Sequence, residues 1–110
     1  MAYKKYSAIQ VKDDGYTFAS KLEHRRYCQL KILQKAGKIE GLQVHPKFQA
    51  VINGQKVCSI ILDFQYFDKE NQKLIYEDTK GTIPPISRLK HKLLKALFPE
   101  VDLRLIFDAR

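Results

Sequence analysis

The sequence predicts an α/β fold, a mixed β-sheet flanked by helices in the order α-β-β-β-α-β. Three features predict it: a capped helical stretch from Ser20 to Ala36, period-two segments around Asn53-Gly54, and a second helical stretch between two strand-like ones. At 110 residues the chain is sized for a single domain spanning 1–110. Its first fifteen or so residues are polar and are expected to be loose.

The first helix reads SKLEHRRYCQLKILQKA, with Ser20 as N-cap and Gly37 as its stop. Tyr27, Leu30, Leu33 and Ala36 recur every three residues and, with Leu22 ahead of them, mark the packed face; Lys21, His24, Arg25, Lys31 and Lys35 make another face basic. After Gly41 the period changes to two. Val44, Lys47, Phe48 and Val51 lead to Asn53-Gly54, the dipeptide of a type I′ hairpin turn. The returning strand continues through VCSIILDFQYF to a polar loop, Asp68 to Gln72, and a third strand, KLIYEDTK, runs to Gly81. Pro84 and Pro85 open a second helix, ISRLKHKLLKALF, which ends before Pro99, and VDLRLIF alternates as the last strand. A helix between two strands lets the last strand join parallel to its predecessor by a right-handed crossover.

Composition narrows the function. The 20 Lys and Arg against 12 Asp and Glu give a formal charge of +8 and a pI near 9.5, which points to a polyanionic partner. Apolar residues at 45% exclude a disordered chain. Two cysteines with no CxxC pair fit a reduced, cytoplasmic setting, and no His/Cys cluster has zinc spacing. The start of the chain lacks the apolar core of a signal peptide, and no apolar run approaches the roughly 20 residues of a membrane span, so no membrane partner is expected. The glycines sit at turns and ends, which argues against a phosphate-binding loop. His24, His45 and His91 are isolated in sequence and are expected at the surface or on phosphates.

The chemistry concentrates around Asp63. It is flanked by Leu62 and Phe64 in an apolar strand, where a carboxylate is costly unless paired, exposed at an edge or bound to metal. In the next strand Tyr76, Asp78 and Lys80 share a face. Pairing inward from Phe67 and Lys73 sets Asp63 opposite Glu77 or Asp78. Two carboxylates meeting there repel unless they share a cation, and hard oxygen ligands suit Mg2+ or Mn2+. With Lys80 beside them the group suffices for phosphodiester hydrolysis. The competing reading is an exposed edge hairpin in which Asp78 and Lys80 form only a surface ion pair.

An acid in one strand, a hairpin, then acid-x-Lys in the next strand, after a Glu-bearing helix, resembles the core of the PD-(D/E)XK nucleases. The strings FASKLEHRRY, ILDFQYF and YEDTKG resemble small phage-encoded endonucleases related to Holliday-junction resolvases, with likeness from about Tyr16 to Lys95. The resemblance implies a restriction-endonuclease-like core with Glu23, Asp63, Asp78 and Lys80 catalytic. Asp63 and Asp78 would be the metal ligands, with Glu77 as a competing one; only Asp78 has the lysine two residues on. Leu62 stands where the motif has proline. Glu23 also completes a capping box with Ser20. The implied activity is Mg2+- or Mn2+-dependent cutting of DNA, branched or Holliday-junction DNA in particular, by a homodimer acting in phage recombination or packaging inside a bacterial host. The basic residues Lys21, Arg25, Arg88, Lys90, Lys92 and Lys95 are placed to contact flanking phosphates. The alternative is a non-catalytic DNA-binding or phage regulatory protein on the same fold.

Overall fold

Residues 9–80 and 84–107 are described by a computed structural model. The elements in chain order are β1 (Val11–Asp13), β2 (Tyr16–Phe18), α1 (Lys21–Lys35), β3 (Ile39–Val44), β4 (Lys47–Ile52), β5 (Gln55–Ile61), β6 (Phe64–Asp68), β7 (Lys73–Thr79), α2 (Pro85–Leu97) and β8 (Asp102–Ile106). The α/β class and the mixed sheet agree with the sequence. The order is richer than expected, by an N-terminal hairpin and by two strands that each divide in two.

The extra hairpin falls in the stretch expected to be loose. Val11–Asp13 pairs with Tyr16–Phe18 around Asp14-Gly15, both at positive φ (52° and 83°) as a type I′ turn requires. Asp-Gly is the same signal as Asn53-Gly54, whose φ values are 51° and 79°. Residues 1–8 of that stretch, and Gly81 at the end of the third strand, lie outside the described residues.

Helix α1 forms where its caps direct. Ser20 Oγ accepts the Glu23 amide at 3.1 Å. At the other end Gly37 (φ 80°) donates to Gln34 O and Lys38 to Leu33 O, the paired bonds of a Schellman stop. Tyr27 and Leu30 are buried as expected, whereas Ala36 is the exposed C-cap.

The long hairpin expected from Val44 to Phe67 bends at one level on both strands. Pro46 has no amide to give the ladder, and His45 before it takes φ 60°. Opposite, Leu62 and Asp63 leave strand geometry, while His45 N still donates to Asp63 O and Leu62 N to Pro46 O, both at 2.9 Å. The outer β4–β5 ribbon is thereby separate from the main sheet, whose order is β3-β6-β7-β8.

Each helix covers its own core. Phe18, Tyr27, Leu30, Ile39, Phe64, Tyr66 and Ile75 form the core that includes α1. Ala50, Ile60, Leu62 and Leu94 join Tyr76, Leu103 and their neighbours in the core that includes α2. Each large apolar side chain so buried contributes about 1.5–3 kcal/mol. In α2 the inward positions are Leu93, Leu94 and Leu97, while Leu89 and Ala96 face solvent. Strand β8 pairs parallel to β7, from Ile75↔Asp102 to Thr79↔Ile106, as a crossover through α2 demands. Among the described residues no helix is long and apolar enough to cross a membrane.

Candidate functional site

The β6–β7 register fixes the acids. Phe64 pairs with Glu77, so one step further sets Asp63 opposite Asp78. The Asp63 amide donates to Glu77 O at 3.0 Å, and its Oδ2 accepts from both the amide and the hydroxyl of Thr79 at 2.6 Å. Even with those two bonds, burial and the neighbouring Asp78 carboxylate push the Asp63 carboxyl up to about 6.

On one side of Asp63 stands a pair that sequence distance conceals. Glu23 is buried; its Oε1 accepts the Ala19 amide at 2.9 Å and its Oε2 lies 2.8 Å from His45 Nε2. Glu23 thus caps α1, through Ala19 instead of the Ser20 amide of the expected capping box, and still turns one oxygen to the site. Burial first, then Asp63, raises its carboxyl above the ordinary value. The ligand atoms of Glu23, His45 and Asp63 all lie within 4.8 Å of one another. His45, expected at the surface or on phosphates, is half-buried beside these acids. Its one local signal is the His-Pro dipeptide, which bends the hairpin just where Asp63 needs a partner.

On the other side stand Asp78, Lys80 and His91. Asp78 is 3% exposed, and its Oδ2 lies 2.9 Å from His91 Nε2 and 3.6 Å from Lys80 Nζ. Its Oδ1 is buried without a hydrogen-bond partner among the described residues. Lys80 keeps 28% of its side chain exposed at a cleft of about 230 Å³ lined also by Ser59, Ser87, Lys90 and His91. His91, also expected at the surface or on phosphates, is largely buried. It stands three residues before Leu94, so helical spacing puts both on the inward face of α2.

Glu77, offered by the sequence as an alternative ligand, is committed elsewhere. Both its oxygens are gripped by Arg26, each at 2.7 Å, and one also accepts the Tyr66 hydroxyl. Its side chain is 1% exposed and points, by strand alternation, opposite to Asp78. The structure thus brings together Glu23, Asp63, Asp78 and Lys80, adds His45 and His91, and leaves Glu77 out of the group. Of the basic residues, Lys21, Arg25, Arg88, Lys92 and Lys95 are exposed, and only Lys90 lines the cleft.

These donors fit a divalent cation. Burial and a neighbouring carboxylate raise Asp63 and Glu23, and one Asp78 oxygen is unpartnered; positive charge at that point relieves both, and the His45 imidazole adds a nitrogen donor. Asp63 is the pivot, shared between the Glu23–His45 side and the Asp78 side.

The family described as "Protein of unknown function (DUF1064)" matches residues 3–110, almost the whole chain. The chain belongs to this family. No curated protein and no solved structure matches it. Its acids, lysine and histidines come from α1, the β3–β4 bend, the β5–β6 bend, β7 and the residue that follows it, and α2, so both helices contribute to the site.

Proposed function

We propose that the chain is a metal-dependent DNA endonuclease of the PD-(D/E)XK type, cutting phosphodiester bonds in branched DNA such as a Holliday junction. The observation that carries the reading is the opposition of Asp63 and Asp78 across the β6–β7 ladder, with Lys80 3.6 Å from Asp78. An edge ion pair on the surface, the competing explanation, does not account for an Asp78 that is 3% exposed with one oxygen unpartnered. The charge of +8 and the exposed lysines and arginines of α2 favour a nucleic acid as the polyanion.

Asp63 and Asp78 would hold Mg2+ or Mn2+, with Glu23 and His45 adjoining on the α1 side. When bound, the ion supplies Lewis acidity to the scissile phosphate and acidifies water at neutral pH. Asp63 is held in place by the Thr79 amide and hydroxyl, and Asp78 by His91. The Lys80 ammonium, at the mouth of the cleft, donates to oxygen as negative charge develops on the phosphoryl group. Arg88, Lys90, Lys92 and Lys95, with Lys21 and Arg25 from α1, contact the backbone on either side and favour shape over base sequence. Symmetric cutting of two strands calls for a homodimer.

The test is cleavage of labelled four-way junction and matched linear duplex in Mg2+ or Mn2+ against EDTA, by wild type and Asp78→Asn. Metal-dependent junction cutting that the substitution abolishes is expected. Junction binding with no cutting in either ion makes the chain a DNA-binding or regulatory protein on this fold.

A further inference from the structure

Apart from the acidic site, the N-terminal hairpin and α1 bring three chemically different metal-ligating side chains to one place. Asp13 ends β1, and His24 and Cys28 stand four residues apart on one face of α1. His24 Nε2 lies 2.9 Å from Asp13 Oδ2 and 3.6 Å from Cys28 Sγ, and the three donor atoms all fall within 4.8 Å of one another. The hairpin does not need Asp13 to dock, because Asp14 already accepts from Tyr27 and Lys31 of the same helix. Cys28 is a free thiol, and all three side chains are half-buried, within reach of an ion from solvent.

The spacing suits a tetrahedral centre. Ligand bonds of about 2.0–2.2 Å to nitrogen or oxygen and about 2.3 Å to sulfur set neighbouring donors roughly 3.3–3.7 Å apart. His24 and Cys28 already stand at that separation, and Asp13 has to recede from His24 by only about half an ångström.

We propose that Asp13, His24 and Cys28 form a second metal site, taking Zn2+ or a similar borderline ion through a carboxylate, an imidazole and a thiolate, with water in the fourth position. Binding releases the thiol proton of Cys28 to solvent, with no change of oxidation state. The site is chemically distinct from the Glu23–His45–Asp63 group, which has no sulfur donor and suits harder ions. The ion cross-links the β1–β2 hairpin to the helix that carries Glu23 and Arg26. The site stands whether or not the chain cuts DNA.

Co2+ titrated into the metal-free full chain is the test, because a thiolate ligand gives cobalt an intense sulfur-to-metal charge-transfer band. The band is expected to saturate at one equivalent and to survive Cys58→Ser and Asp63→Asn. It should vanish in both Cys28→Ser and Cys28→Ala, two variants that guard against a single misfolded one, and His24→Ala should weaken binding at least tenfold. In the Asp63→Asn background, Zn2+ should raise the thermal midpoint, and it should leave the double variant Asp63→Asn/Cys28→Ser unmoved. No band in wild type, or a band that persists without Cys28, overturns the proposal.

Discussion

Arg26 of α1 holds Glu77 of β7 through two parallel hydrogen bonds, Nε to Oε1 and Nη2 to Oε2, each 2.7 Å long. Glu77 is 1% exposed, so the pair is a helix-to-sheet bolt inside the protein and not a surface ornament. Removing one partner strands a buried charge. Arg26→Met is therefore expected to cost about 3–5 kcal/mol of unfolding free energy. The double variant Arg26→Met/Glu77→Leu should regain much of that, since apolar replacement of a whole buried pair is often neutral. Urea midpoints of the three proteins measure it. Metal affinity of the double variant also decides the role of Glu77: unchanged affinity is expected, and its loss would restore Glu77 as a ligand.

Asp63 gives the apo protein a pH dependence of the opposite sense to ordinary acid denaturation. Its carboxyl stands at about 6 folded against an ordinary 3.8, so between those values the folded state binds more protons than the unfolded one. Raising pH from about 4 to 6 therefore removes stability, on the order of 2 kcal/mol, and above 6 the loss is complete. Burial raises Glu23 in the same direction. Asp14 and Asp68, held low by their hydrogen-bond partners, act in the opposite sense, so the difference between wild type and Asp63→Asn isolates the effect of Asp63. Metal-free Asp63→Asn should gain stability over wild type as pH rises through that window, by chemical denaturation at each pH. Parallel curves for the two proteins would refute the assignment.

Local signals explain which parts of this fold can be read from sequence. Ser20 and Gly37 delimit α1 and Pro84 opens α2 because caps and prolines act within a few residues of themselves. The meeting of the Asp63 and Asp78 strands is legible for the same reason, because a short polar turn joins its own hairpin, but the sequence leaves Glu77 or Asp78 opposite Asp63 and the observed register decides for Asp78. His45, His91 and the Asp13–His24–Cys28 group are not, since their partners stand 22, 13 and 11 residues away in sequence. The bend at Pro46 is intermediate. A proline in a strand announces a break in its own ladder, but nothing near Leu62 announces that the partner strand breaks at the same level. The commitment of Glu77 to Arg26, 51 residues away, follows only from α1 packing on the β7 face that alternation gives Glu77.

His91 positions Asp78 without being a ligand in this arrangement. Its Nε2 at 2.9 Å fixes one carboxylate oxygen and leaves Oδ1 unpartnered and free to bind. Partners of ligating carboxylates are worth 10–100-fold in metal affinity. His91→Ala should weaken Mn2+ binding by roughly that factor, as read by calorimetry, and His91→Asn should recover part of it if its amide donates to the same oxygen. Equal affinities in wild type and His91→Ala would reduce the contact to packing.

Lys80 and the exposed cations of α2 should fail in different ways. Lys80 stands 3.6 Å from Asp78 and, in the proposed reaction, would act on charge that develops only in the transition state, so Lys80→Ala should lower kcat about 10²–10³-fold with little change in KM. Arg88, Lys92 and Lys95 are exposed and make no ion pair with an acid among the described residues; in the proposed nuclease they would touch only the ground-state backbone of the DNA. Replacing them with Ala should raise KM and leave kcat near wild type. Each lost phosphate contact should also flatten the plot of log K against log salt by about 0.9. Binding of labelled junction in Ca2+ across a salt series, beside single-turnover cleavage in Mg2+, separates the two behaviours. A triple variant with the wild-type salt slope would place the DNA on another face, with Lys21 and Arg25 of α1 as the next cations to test.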